Sequence, residues 1–248
     1  PVMAARIERG HLALLTFDKP GVSGLDSDGQ PVVDLEVFAA YTPDDLIACA
    51  GAALDWALDQ PHVRSDRWMI NGHSEGAMVG VELLAARAED LSGLRLALFT
   101  GTPVVPMGEI LAHQLGVRTP EKALRRLEKK SAPAPHTYLV ETGASVATIR
   151  AWGERRPIGE LLLEPSLWNL PIYLQHGLED GSVPVEGVLA WEARKRETGS
   201  QVTVRYYDAG HSGSNALVLD SLGLIDLASL GVAPMQGPPA ATPPPSAQ

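Results

Sequence analysis

The sequence predicts an α/β domain with a mostly parallel sheet flanked by helices, and two observations carry that prediction. Short apolar segments alternate with amphipathic helical segments along the chain, which is typical of parallel sheets covered by helices. One apolar segment, Trp68–Asn71, runs through Gly72-His73-Ser74-Glu75-Gly76 into a helix of small residues. A Gly-x-Ser-x-Gly sequence between a strand and a helix predicts a sharp turn that exposes the serine.

The other predicted elements follow from local apolar patterns and helix caps. Thr42, Pro43 and Asp44 together form a strong helix start, with a capping hydroxyl, a proline and an acid in the first turn. The remaining predicted strands are His11–Phe17, Leu94–Thr100, Pro171–Gly177 and Gln201–Tyr207, and the later predicted helices are Glu186–Glu197 and Asn215–Leu230.

The chain divides into four predicted regions. Residues 1–106 form the first part of the core, with the serine turn, and residues 171–233 form the second part. Between them, residues 107–170 contain short helical pieces interrupted by prolines, which predicts a small helical cap inserted over the site. Residues 234–248 are rich in Pro and Ala and are expected to be disordered.

Composition limits the classes of partner. With 248 residues and 45% hydrophobic content, the chain has enough apolar material for one α/β core. The net charge of −10 at pH 7 argues against a nucleic-acid partner. No apolar run reaches the length of a membrane span. The apolar neighbours of Cys49, the one cysteine, favour a buried structural thiol.

Ser74 is the candidate nucleophile, and the chain offers an acid and a base downstream. Asp180 follows the predicted strand Pro171–Gly177, and His211 follows the predicted strand Gln201–Tyr207. Because the carboxyl ends of parallel strands meet at one edge of a sheet, these groups are expected to lie near the serine. A serine with a histidine base and an orienting carboxylate performs acyl transfer through a covalent intermediate.

Each of these assignments has a structural alternative. Ser74 could be a helix-capping serine. Asp180 could be a turn residue, with its neighbour Glu179 as the competing carboxylate. His211 could be a surface histidine of the last loop.

Other chemistry-bearing residues are expected to have structural roles. His176 lies within a strand end, where a structural or hydrogen-bonding role is expected, and His73 lies beside the serine, where it is expected to be packed and not catalytic. No cluster of residues at metal-ligand spacing is present, so no metal site is predicted. Trp152, Trp168 and the segment Ile158–Leu163 are expected either to line an acyl pocket beneath the cap or to belong to the core.

These motifs resemble the α/β-hydrolase superfamily, in particular its bacterial serine-hydrolase branch of esterases, dienelactone-hydrolase-like and serine aminopeptidase-like proteins. The segments that carry the resemblance are Gly72–Gly76, Gln175–Pro184 and Asp208–His211. The resemblance implies a nucleophile elbow at Ser74 and a triad with Asp180 and His211. It also implies that the Glu75 backbone N–H is an oxyanion donor.

One departure from the family pattern is large. The family carries a His-Gly oxyanion loop and a preceding strand beside the elbow strand, and residues 1–10 match neither. The resemblance therefore implies an α/β-hydrolase chain that is truncated at its N-terminal side. Such a chain would lack the second oxyanion donor and would leave a gap in the sheet beside the elbow strand.

The activity implied by the resemblance is hydrolysis of a carboxylic ester, or less readily of an amide, in a small-molecule acyl substrate without a cofactor. Two alternatives are a catalytically silent hydrolase-fold protein that binds or scaffolds, and an inactive fragment. The sequence leaves the substrate, the oligomeric state and the compartment open, since a cytoplasmic and an exported protein are both compatible with it.

Overall fold

The structure, a computed structural model, describes residues 15–131 and 144–211. Its elements are, in chain order, β1 Val22–Leu25, β2 Pro31–Val33, α1 Leu35–Ala40, α2 Pro43–Leu58, β3 Trp68–His73, α3 Glu75–Ala86, β4 Leu94–Thr100, α4 Met107–Gln114, α5 Pro120–Ser131, α6 Val146–Glu154, α7 Ile158–Leu161, a 3-10 turn Pro165–Leu167, β5 Ile172–Gly177, α8 Val185–Lys195 and β6 Thr203–Tyr207.

The centre of the fold is a four-stranded parallel sheet in the order β3-β4-β5-β6. His73, Thr100 and Gln175 are aligned across the first three strands, so these strands end near one line. Within the described residues, β3 pairs with β4 alone and forms one edge of this sheet. The predicted α/β fold with a parallel sheet is confirmed.

Alternate side chains of β4 pack into separate cores on the two faces of the sheet. Ala97 and Phe99 belong to the main core, whereas Leu96 and Leu98 belong to a smaller cluster. This division follows from strand geometry, in which successive side chains point to opposite faces. Helix α3 lies so close to the main core that a Cβ atom on Gly80 would collide with the Phe99 ring.

Helix α2 begins where its sequence predicts. The Thr42 hydroxyl accepts the Asp45 N–H at 3.3 Å, and the Asp45 carboxylate accepts the Thr42 N–H at 2.8 Å. This reciprocal arrangement is a capping box, which satisfies two N–H groups that the helix itself leaves unbonded. Pro43 occupies the first helical turn, where its missing N–H carries no cost.

The expectation of a buried Cys49 is wrong, because the thiol lies on the exposed side of α2. Leu46 and Ala50, four residues apart, form the buried face of this helix. Cys49 has apolar neighbours in sequence, but the helical period rotates it away from that face.

The first described residues also differ from the expectation. Residues 15–17 do not form the predicted strand, and Leu15 and Phe17 are exposed, while residues 11–14 lie outside the described residues. The physical reason is that no strand lies beside residues 15–17 in the described part of the chain to supply hydrogen-bond partners.

A short antiparallel hairpin, β1 with β2, follows these residues. Asp26 Oδ1 accepts the N–H groups of Asp28 and Gln30 at 2.9 and 2.8 Å, and Gly29 adopts a φ of +77°. Asp-Gly at a turn is a known hairpin signal, because glycine tolerates positive φ. The sequence thus held the evidence for this hairpin.

Four helices, α4 to α7, lie in the segment predicted to form the cap. Arg155, just after α6, donates to Asp44 of α2 and Glu82 of α3 at 2.8 Å each and ties this segment to the core. The predicted helix Asn215–Leu230 and the predicted tail lie outside the described residues. None of the described helices combines the length and apolar character that crossing a bilayer requires.

Candidate active site

Ser74 lies at the turn between β3 and α3 in a strained conformation. Its φ is 53° and its ψ is −117°, and among the described residues it is the one non-glycine residue with positive φ. Such a conformation costs roughly 1–3 kcal/mol and is found chiefly at functional sites. The Ser74 side chain makes no capping hydrogen bond to α3. The alternative role of a structural helix cap therefore has no support in the geometry.

The two glycines of the elbow have different functions. A Cβ atom on Gly72 would collide with the carbonyl oxygen of Gly76 in the first turn of α3, so the strand can approach the helix only with glycine there. A Cβ atom on Gly76 would meet nothing within 4 Å. Steric need is therefore confined to the first glycine of the motif. The turn is fixed further by the Ser74 N–H, which donates to the Thr100 carbonyl oxygen at 2.9 Å.

Asp180 and His211 form a hydrogen-bonded pair at the carboxyl ends of β5 and β6. His211 Nδ1 lies 2.8 Å from Asp180 Oδ2, and Asp180 Oδ1 accepts the N–H groups of Ser182 and Val183 at 2.9 Å each. The Asp180 side chain is 1% exposed and that of His211 is 20% exposed. With Nδ1 bonded to the carboxylate, Nε2 is the nitrogen through which His211 can exchange a proton.

The loops that carry this pair are joined by their backbones. The Leu178 N–H donates to the Tyr207 carbonyl oxygen at 2.7 Å, and the Glu179 N–H donates to the Ala209 carbonyl oxygen at 3.1 Å. The loops meet so closely that a Cβ atom on Gly177 would collide with the Ala209 carbonyl oxygen. Glu179 itself is exposed, while its neighbour Asp180 is buried. Of the two competing carboxylates, Asp180 is the one bonded to the histidine.

The hydrogen bonds at Asp180 stabilise its charged form. Burial raises the pKa of Asp180, but the bonds from His211, Val183 and Ser182 outweigh burial and hold that pKa below its ordinary value. Buried His176 lies behind the pair, with Nε2 donating to the Val183 carbonyl oxygen at 2.9 Å and lying 3.7 Å from Asp180 Oδ2. Burial lowers the pKa of His176, which keeps its ring neutral.

His73, which precedes the serine, contacts the candidate base. The His73 and His211 ring centroids lie 4.7 Å apart, and His73 Nδ1 lies 2.8 Å from the buried hydroxyl of Thr100. Gly101, in the next loop, has a φ of +56°, and a Cβ atom there would lie 3.0 Å from His211 and 3.2 Å from His73. Desolvation, and then the charge of His211, lower the pKa of His73, which favours the neutral form of the ring that lies against the candidate base.

Glu75, which supplies the candidate oxyanion N–H, bonds to the cap segment through its side chain. Trp152 Nε1 of α6 donates to Glu75 Oε1 at 2.8 Å, while Lys19 forms an ion pair with Oε2. Trp168 lies elsewhere, where its Nε1 donates to the Leu163 carbonyl oxygen at 3.0 Å. Ile158, Leu161 and Leu162 belong to the main core. Of the segments considered for an acyl pocket, only Trp152 bonds to a residue of the elbow.

The structure thus places all the predicted site residues at one edge of the sheet. The contact between Ser74 and His211 is the one that is not formed among the described residues. No hydrogen bond links the Ser74 hydroxyl to His211 among residues 15–131 and 144–211. Catalytic hydrogen bonds are often long without substrate and tighten when it binds. Over the same ranges, no group of three or more His, Cys, Asp or Glu residues is arranged to hold a metal ion.

Two residues of this site were missed by sequence reasoning. Thr100 was predicted only as the end of a strand, although a hydroxyl at the carboxyl end of a parallel strand is a signal for a site residue. Lys19 gives no such signal, because its contact with Glu75 joins residues 56 positions apart in the chain.

Comparison with known proteins supports the fold. The sequence matches no protein-family model, and no curated protein matches it. An esterase from Pyrococcus furiosus is similar in structure, with a TM-score of 0.50, 16% sequence identity, and an overlap of 75% of this chain and 62% of that chain. Est1E from Butyrivibrio proteoclasticus has a TM-score of 0.50 and 14% identity over 77% of this chain and 72% of that one. At these identities the likeness concerns the fold alone, and this chain spans about three fifths of the length of the Pyrococcus protein.

Proposed function

Because the chain has the α/β-hydrolase fold, we propose that it is a serine hydrolase that cleaves carboxylic esters and, less readily, amides. One observation carries the proposal. Strained Ser74 and the bonded pair of Asp180 and His211 lie beyond the carboxyl ends of strands in one parallel sheet. Neither backbone strain nor a buried carboxylate behind an imidazole is needed for a structural helix cap, whereas both suit an activated serine.

In the proposed reaction, Ser74 Oγ attacks the carbonyl carbon of the ester while His211 Nε2 takes the hydroxyl proton. Asp180 holds the histidine in the tautomer that leaves Nε2 available and stabilises the imidazolium that forms. His211 then gives the proton to the leaving alkoxide, which departs as an alcohol. Water, deprotonated by the same nitrogen, hydrolyses the acyl-enzyme and regenerates Ser74.

The tetrahedral intermediate requires hydrogen-bond donors for its oxyanion. The Glu75 N–H lies at the N-terminus of α3, where backbone N–H groups have no partner within the helix. We assign it as one donor. The helices of residues 107–170 are proposed to cover the acyl group, and Trp152 is proposed to be their contact with the elbow. The substrate is proposed to be a small-molecule ester.

Labelling with a fluorophosphonate tests this proposal, since the probe reacts only with an activated serine. The wild-type protein is expected to be labelled, and Ser74→Ala to be unlabelled and to lose roughly a million-fold in kcat on an aryl ester. Ser182→Ala is the matched control, because Ser182 holds Asp180 through its backbone N–H and not through its side chain. Unchanged labelling of Ser74→Ala would remove Ser74 from the nucleophile role.

A second candidate function is a catalytically silent binding or scaffold protein with the same fold. The observation that favours it is the missing hydrogen bond between Ser74 and His211 among the described residues. The same labelling experiment separates the two functions. A silent protein would still show the thermal melting transition of a folded protein, but it would fail to react with the probe.

A further inference from the structure

The carboxylate of Glu75 is held from two sides beside the proposed oxyanion site. Trp152 Nε1 donates to Oε1 at 2.8 Å, and the Lys19 ammonium lies 2.6 Å from Oε2. The approach of Lys19 does not meet hydrogen-bond geometry, so this contact is an ion pair. The Glu75 side chain is 19% exposed, so solvent screens its charge only in part. An acid is thus placed where the proposed reaction develops negative charge.

Covalent geometry fixes how close these two charges are. A glutamate carboxylate lies no more than about 5 Å from its own backbone nitrogen, and an oxyanion bound by that N–H lies about 3 Å beyond it. The repulsion between two negative charges at most about 8 Å apart is substantial in a partly buried site. An uncompensated Glu75 would therefore destabilise the tetrahedral intermediate relative to the free enzyme.

Tyr41 interacts with both members of this ion pair. Burial, and after it the Glu75 charge, raise the pKa of Tyr41, so the field of the carboxylate reaches a neighbouring buried group. Lys19 Nζ lies 6.0 Å from the centroid of the Tyr41 ring, which favours a cation above it. The ammonium is therefore held in place by both an anion and an aromatic ring.

We propose that Lys19 is a positioning residue for ester hydrolysis. Its positive charge neutralises the Glu75 carboxylate, so that this carboxylate does not repel the oxyanion of the tetrahedral intermediate. This inference rests on the proposed serine hydrolase function. Lys19 acts through Glu75 and does not touch the substrate. Because of this ion pair, the position after the nucleophile can be an acidic residue. Glu75 can then accept the hydrogen bond from Trp152 of the cap segment without repelling the oxyanion.

A double-mutant cycle tests the proposal. Lys19→Met should lower both the rate of fluorophosphonate labelling and kcat/KM for p-nitrophenyl acetate by about tenfold, because it leaves Glu75 uncompensated. In the Glu75→Gln background the same Lys19→Met change should cost less than about twofold. Glutamine keeps the acceptor oxygen for Trp152 and removes the charge. Lys19→Arg, which keeps the charge, should retain the wild-type rate.

Arg194→Met is the matched control, since it removes a cation from an exposed ion pair with Glu160 that has an N–O distance of 2.8 Å. It should leave both rates unchanged. If Lys19→Met costs tenfold with and without the Glu75 charge, Lys19 acts through packing alone and the inference is wrong. If Lys19→Met does not fold, Lys19→Gln replaces it in the cycle. If the wild-type chain is not labelled at all, the proposed function falls and this inference with it.

Discussion

The β5–β6 end and the β3 end of the parallel sheet hold their site residues in different ways. At the β5–β6 end, the loops that carry Asp180 and His211 are joined by two backbone hydrogen bonds, and the Asp180 carboxylate is almost fully buried. At the β3 end, one backbone hydrogen bond, from the Ser74 N–H to the Thr100 carbonyl oxygen, joins the serine turn to the neighbouring strand. Asn71 and His73 on β3 are exposed.

This difference shows how the proposed catalytic groups are held. Asp180 and His211 are fixed by a network of short bonds that exists without substrate, which is the condition for electrostatic preorganisation. Ser74 is fixed by its strained turn and by one backbone bond to Thr100. We therefore expect the acid–base end to tolerate little change, and the nucleophile end to adjust more easily when a side chain is altered.

Removing the charge of Asp180 should have the largest effect at the acid–base end. Asp180→Asn is expected to lower kcat on an activated ester by about ten-thousandfold, because an amide favours the wrong histidine tautomer. Glu179→Gln is the matched control, since Glu179 is exposed and one position away. Circular dichroism would check that both variants fold. A larger loss in Glu179→Gln would transfer the orienting role to Glu179.

Gly177→Ala should have the next largest effect, because its Cβ atom would collide with the Ala209 backbone and separate the two joined loops. A displacement of about 1 Å between acid and base would cost roughly a hundredfold in kcat. Gly181→Ala, in the same loop, meets nothing within 4 Å and should cost little. Equal activity in the two variants would show that the close approach at Gly177 is not needed.

The corresponding change at the nucleophile end is Gly72→Ala, whose Cβ atom would collide with the Gly76 carbonyl oxygen. We expect a loss of roughly tenfold in kcat, less than for Gly177→Ala, because one backbone hydrogen bond joins the serine turn to the neighbouring strand, whereas two join the loops beside Gly177. Gly76→Ala has open space and serves as the control. A greater loss in Gly72→Ala than in Gly177→Ala would contradict the comparison of the two ends.

The parts of the molecule that the sequence predicts well are those determined by local patterns. The strand Leu94–Thr100 was predicted with both ends correct, and β5 and β6 were predicted within two residues. The serine turn follows from a five-residue motif, and the positions of Asp180 and His211 follow from their places after strands. Such features depend on the period of apolar residues and on the chain order of loops.

The features that the sequence does not predict depend on contacts between distant segments. Residues 15–17 have the composition of a strand but no partner strand within the described residues. To predict that Lys19 pairs with Glu75, and His73 with Thr100, one must know which loops lie side by side at the sheet edge. Local propensity carries no information about these loop contacts, because the packing of the whole sheet determines them.

The smallest expected effect is a pH dependence of stability that arises from His176, buried behind the acid–base pair, and from His73 beside it. The pKa values of His176 and His73 are lowered in the folded protein, first by desolvation. The groups that face His176 are Asp180, His211 and the Val183 carbonyl oxygen. Both histidines therefore take up protons at lower pH in the folded protein than in the unfolded chain.

When the pH falls below about 6.5, the unfolded chain binds protons at these histidines before the folded protein does. Because the unfolded state then binds more protons, the free energy of unfolding decreases as the pH is lowered from about 6.5 towards 5. The lowered pKa of Asp180 acts in a different window, since its contribution is present above the ordinary aspartate value and is lost only in more acidic solution. His176→Gln keeps a donor for the Val183 carbonyl oxygen and removes one titrating group. Thermal melts from pH 8 to 5 should therefore show a smaller fall in Tm for His176→Gln than for the wild type, and an equal fall would show that His176 does not control this part of the stability.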